Sequence, residues 1–121
     1  MKRSLTALIP LLALSHPASG EEWIDLGGMG FEMDTASVEA RGDQAHAWIR
    51  KIAAAPQGQL ATHMLVVAHC GQELLEIERG ILESDWSSKV VDMPELPPED
   101  RFIELPVENS AFNNLYAYLC D

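Results

Sequence analysis

THMLVVAHC, Thr62–Cys70, is the stretch that decides the fold. It is the most apolar, β-branched run after residue 20. Strict alternation puts Met64, Val66, Ala68 and Cys70 on one face and His63, Leu65, Val67 and His69 on the other. Both faces have apolar centres, which places the strand in the interior of a sheet and not at its edge. The run ends on one of only two cysteines. The other, Cys120, is the second-last residue.

On either side of this strand the chain reads as further strands and turns. Glu22–Leu26 and Phe31–Asp34 are short strands joined by the glycine turn Gly27-Gly28-Met29-Gly30. That turn is no phosphate loop, because no GKS or GKT follows and no helix opens after it. Asp34 to Ser37 carry turn-forming side chains. Val38–Arg41 is extended, Gly42-Asp43 signals a hairpin, and Gln44–Ile52 is a strand with neither face cleanly apolar. Ala53–Gln59, with Pro56 and Gly58, reads as a loop. After Gly71-Gln72, Glu73–Glu83 has a helical composition but alternates at Leu75, Ile77, Arg79 and Ile81. The short turn before it favours a strand. Arg79 would then share an inner face with Leu75 and Ile77 and need a buried ion partner. Ser84–Lys89 is a loop holding Trp86, Val90–Met93 is extended, and Pro94–Asp100, with three prolines, reads as an irregular exposed loop. Phe102–Leu105 is a last strand. Asn109 or Ser110 caps a helix to Cys120, in which Phe112, Leu115, Tyr116 and Leu119 form an apolar stripe. The expected fold is α+β: a single antiparallel sheet of about six strands, with the C-terminal helix packed on one face and tied to it by a disulfide.

The first 20 residues have the form of a secretory signal peptide. Lys2-Arg3 precede the short apolar segment Leu5–Leu14, and Ala18-Ser19-Gly20 supply a small-residue cleavage site. Residues 21–121 then form one domain. Lys2 and Arg3 leave with the leader, so six basic residues face 19 acidic ones, a formal charge of −13. That balance argues against nucleic acid and anionic membranes as partners. No cysteine follows the apolar run to carry a lipid anchor, and no second apolar stretch could span a membrane. In an exported chain two cysteines have one possible pairing, Cys70–Cys120.

Chemistry-bearing motifs are sparse. His63 and His69 lie about 20 Å apart on one strand face at roughly 3.3 Å per residue, too far to share a metal. His46 could meet one of them across strands. Glu73, Glu76 and Glu78 read as a solvated edge that discourages pairing. No serine lies in a nucleophile elbow, and the cysteines are committed to each other. No metal or other cofactor is expected. Trp23 and Trp48 read as core, whereas Trp86 stands in a loop among Ser84, Asp85, Ser87 and Ser88, as a contact residue would.

Several of these residues together resemble the bacterial surface-adhesin protein E family. They are Trp23 opening the domain, Asp34 with Ser37 between early strands, Trp48, Cys70, Arg79, and the segment Pro106–Cys120 ending in cysteine. The resemblance covers nearly all of residues 21–121. It implies an antiparallel sheet of about six strands, with a disulfide-tied helix across one face. Its namesake is an outer-membrane lipoprotein that binds host matrix proteins; this chain is more acidic and lacks the lipidation cysteine. The expected function is therefore an exported, non-enzymatic, adhesin-like protein-binding module of the cell envelope, periplasmic or at the cell surface. A periplasmic structural or inhibitory factor is the alternative, and a metal-dependent hydrolase comes last.

Overall fold

The computed structural model describes residues 21–87 and 90–121. The leader expected over residues 1–20 lies outside the described residues, as do Ser88 and Lys89.

The frame is a meander of three long strands. β4 (Gln44–Ala55) and β5 (Gly58–His69) pair along their whole length, from Gln44 opposite His69 to Ala55 opposite Gly58. β6 (Leu74–Ser84) pairs with the other side of β5. The central position expected for Thr62–Cys70 is thus the one β5 holds. Residues 53–59 are not a loop, however. The strands run through to a two-residue turn at Pro56 and Gln57, so alanines of weak strand propensity are carried by their pairing partners.

Each flank of the meander is covered by an interrupted strand. On β4, β2 (Phe31–Asp34) pairs with Ile49–Lys51 and β3 (Glu39–Arg41) with Gln44–His46. The two run in the same direction, with the 3-10 turn Thr35–Ser37 between them. On β6, β7 (Val90–Asp92) pairs with Ile81–Glu83 and β8 (Phe102–Glu104) with Leu74–Glu76. β1 (Trp23–Asp25) adds to β2. Eight strands therefore fill six positions, in the order β1-β2-β4-β5-β6-β7, where about six strands were expected.

The break between β7 and β8, residues 93–101, ends in a one-turn helix, α1 (Pro98–Arg101). Three prolines suggested no regular structure. Pro97 at the N-cap and Pro98 at the first helical position give up no hydrogen bond there, because first-turn N–H groups have no intrahelical partner.

α2 (Ser110–Cys120) lies across one face of the sheet. Asn109 caps it, its Oδ1 accepting from Ala111 N at 2.9 Å. Leu115 and Ala111 are fully buried against Met33, Ile49, Val66, Ala68 and Leu75. The small residues Ala47, Ala68 and Ala111 let helix and sheet approach closely, and the Phe31 and Phe112 rings meet at 5.2 Å. Cys70 and Cys120 are joined, their Cα atoms 5.4 Å apart. Tyr116 Oη accepts from the N–H groups of Gly71 and Glu73 at 2.9 and 3.2 Å, fixing the last helical turn to the β5–β6 turn.

Candidate binding site

Asp34, Ser37 and Trp48 meet at the first strand break. The buried Asp34 carboxylate accepts from Glu22 N and Ala36 N at 2.9 and 3.0 Å. The Ser37 hydroxyl donates to Asp34 O at 2.7 Å and accepts from Trp48 N at 2.9 Å. A side chain thus completes the ladder where the strand is interrupted. Trp23 and Trp48 are half-buried on the face away from α2 and do not belong to the main core.

That helix-free face holds the three histidines of the described residues, each beside its own carboxylate. His46 Nε2 lies 3.0 Å from Glu39, His63 Nε2 3.3 Å from Glu83, and His69 Nε2 3.0 Å from Glu76. Register places His46 opposite Val67, so the histidines do not converge. Among the described residues no three His, Cys, Asp or Glu side chains are grouped to hold a metal ion. These are cross-strand pairs that bind strands to one another.

Trp86 lies in the β6–β7 turn and is 43% exposed. This turn sits beside the tip of the β4–β5 hairpin: Asp85 N donates to Gln59 O at 3.1 Å, and Gln59 N to Asp85 Oδ1 at 2.9 Å. Ile52, Val90 and Val91 are also exposed at this end of the sheet. Together with Trp86 they are four of the eight exposed large apolar side chains among the described residues. A shallow hollow of about 210 Å³ opens there, between Ile52, Ala61 and Asp85.

The second strand break holds a deeper cavity, of about 280 Å³, between the edge of β6 and residues 93–96. Met64, Ile77, Met93 and Leu96 give it an apolar lining, and Met64 and Ile77 pack against the main core. Gly80 brings the two walls together. Met93 N donates to its carbonyl at 2.9 Å, and a Cβ on Gly80 would stand 2.6 Å from Met93 Sδ. The mid-strand glycine is therefore a close-approach position.

Charge surrounds this cavity. Arg79 is not on the inner face. β6 carries an extra residue at Glu78, since Leu65 faces Arg79 while Val66 faces Ile77. The bulge shifts the alternation by one, so Arg79 is exposed and pairs with the exposed Asp92 at 3.3 Å. Arg101 is engaged on both sides, reaching Glu76 Oε2 at 2.7 Å and Glu95 Oε2 at 3.1 Å. Glu76 is not part of a solvated edge either, because β8 covers it. Burial pushes its pKa up, but hydrogen bonds from His69 and Arg101 and their charges outweigh burial, so the net shift is below the usual carboxylate value.

Sequence reasoning singled out Cys70, Cys120 and Trp86 and missed Met93, Leu96 and Arg101. The available signal was Gly80 inside an apolar strand, followed by a proline-rich excursion. No helix among the described residues is long and apolar enough to cross a membrane. Comparison with family models, with curated proteins and with solved structures finds no match to this chain.

Proposed function

We propose that the chain is an exported, non-enzymatic binding module of the bacterial cell envelope, adhesin-like in its architecture, with a protein as its partner. The observation that carries this reading is the exposure of Trp86 at the same end of the disulfide-tied sheet as Ile52 and Val90, which stand in one cross-strand row on the helix-free face with Ala61 and Glu83 between them. Exposed apolar groups beside charge mark interaction surfaces, and tryptophan is enriched among residues that dominate binding energy. The disulfide supports an oxidising compartment, and the resemblance to the surface-adhesin protein E family supports the envelope. Among the described residues the histidines and carboxylates lie in separate cross-strand pairs, which supports a structural role for them.

In-cell photo-crosslinking tests this. A photoreactive residue at Gln57, in the neighbouring hairpin turn, captures one discrete envelope protein. The same residue at Tyr118, on the outer side of α2, captures none. Adding Trp86→Ala lowers the yield at Gln57 about tenfold, the loss of a moderate hot spot. An unchanged yield removes Trp86 from the site, and no adduct at Gln57 overturns the reading. Protease treatment of intact cells separates the two envelope locations, since a surface adhesin is cut and a periplasmic factor is protected.

A further inference from the structure

The two flanks of the meander break their outer strand in the same way but close the break differently. Between β2 and β3 the gap is short, and Ser37 supplies the acceptor that the ladder lacks there. Between β7 and β8 the chain leaves the edge of β6 for residues 93–101, and the cavity opens opposite residues 77–80. We infer that this cavity receives one large apolar side chain from an extended, basic segment of a partner protein. The inference rests on the reading of the chain as a protein-binding module, and it names the partner's chemistry.

Three observations carry it. The first is size. About 280 Å³ falls just below the roughly 300–1,000 Å³ of pockets that enclose drug-sized ligands, and suits a single phenylalanine- or leucine-sized group. The second is the lining. Met64, Ile77, Met93 and Leu96 are apolar, and the two methionines are unbranched and flexible enough to shape themselves around such a group. The third is charge. Arg79 and Arg101 are already held by Asp92, Glu76 and Glu95, and Glu78, Glu99 and Asp100 lie on the same β6 strand or on α1. In the lining Glu78 and Glu95 balance Arg79 and Arg101, and the ion-pair partners Glu76 and Asp92 add two more carboxylates, an acidic excess that favours lysine or arginine beside the apolar anchor and disfavours an acidic segment. The exposed edge strand β7 leads directly into residues 93–96, which form one wall of the cavity.

The methionines make the test direct. With methyl-labelled methionine, Met64 and Met93 report on the cavity, Met33 on the buried core and Met29 on exposed surface. The probe is an acetylated and amidated pentapeptide, Lys-Lys-Phe-Lys-Lys. It shifts the Met64 and Met93 resonances and leaves Met33 and Met29 in place. Replacing its phenylalanine by alanine, or its lysines by glutamates, weakens binding about tenfold or more. Leu96→Trp fills the cavity and abolishes the response, while an unmoved Met33 resonance shows the core intact. No shift at millimolar peptide, equal binding of the glutamate peptide, or an unaffected Leu96→Trp variant each overturns the inference. Phenethylamine binding as tightly as the peptide also overturns it, by making the site one for small amines. Crosslinking at Gln57 with a silent cavity overturns the inference and leaves the binding-module reading standing; a responding cavity without cellular adducts overturns that reading and with it the assignment of the cavity to a partner protein.

Discussion

Glu76 connects three parts of the chain. It accepts from His69 on β5 and from Arg101 at the end of α1, and is itself on β6. Its folded pKa lies below the ordinary value, so the unfolded state binds its proton more readily. The sign follows from linkage. The stabilisation is complete above the unfolded carboxylate pKa of about 4.3 and is lost as pH falls through the lower folded value. Denaturant unfolding of the wild type therefore loses this stability as pH falls below about 4.3 and not between neutral pH and that value. Glu76→Gln is less stable at pH 7 and shows a shallower loss over the same interval. Parallel curves for the two proteins would remove Glu76 as a source of the acid response. None of this was legible in the residue itself. Glu76 reads like its neighbours Glu73 and Glu78 until β8 is known to cover it, and Arg79 reads as inward until the Glu78 bulge is known. A bulge inserts one residue without a local signature, so every parity argument downstream of it inverts.

At the scale of elements, what could be read was what local periodicity determines. The stripe of Phe112, Leu115, Tyr116 and Leu119 and the asparagine cap give α2 directly. The apolar centres on both faces of Thr62–Cys70 give a central strand. What could not be read was imposed from far along the chain. Ala53 and Ala54 are strand because Leu60 and Gln59 pair with them. β7 and β8 are separate strands because residues 93–101 detour between two stretches of one β6 edge, and no local property of Val90 or Phe102 says so. The helix is retained by two kinds of link, and they separate experimentally. The disulfide spans 50 residues, and closing a loop of that length restricts the unfolded chain by about 4 kcal/mol in the chain-entropy model. Tyr116 makes two hydrogen bonds in the folded state, each with a net contribution near 1 kcal/mol. The Cys70→Ser, Cys120→Ser double variant is thus expected to lose about 4 kcal/mol in urea unfolding, and Tyr116→Phe about 1–2 kcal/mol. A larger loss for Tyr116→Phe than for the double cysteine variant would reverse this ranking.

The whole molecule carries eight basic residues against 19 acidic ones, a net charge of −11, on a sheet whose main core cluster lies on the face that α2 covers. That charge cannot hold a partner firmly, since exposed charges separated by more than a Debye length of about 10 Å at 0.1 M salt are screened. It can draw a basic partner in, because a field of one sign raises encounter rates and falls steeply with ionic strength. An apolar side chain seated between Met64, Ile77 and Met93 answers differently, as its retention depends on area removed from water. The two contributions should therefore separate in kinetics. For the lysine–phenylalanine peptide, raising salt from about 0.05 to 0.5 M should lower the association rate about tenfold and leave the dissociation rate within about twofold. Replacing the peptide's phenylalanine by alanine should raise the dissociation rate, with the salt dependence of association retained. Stopped-flow measurement of both rates checks this division. A dissociation rate that climbs with salt as steeply as association falls would mean that charge alone holds the peptide, and that the cavity in the broken edge of the sheet plays no part in retaining it.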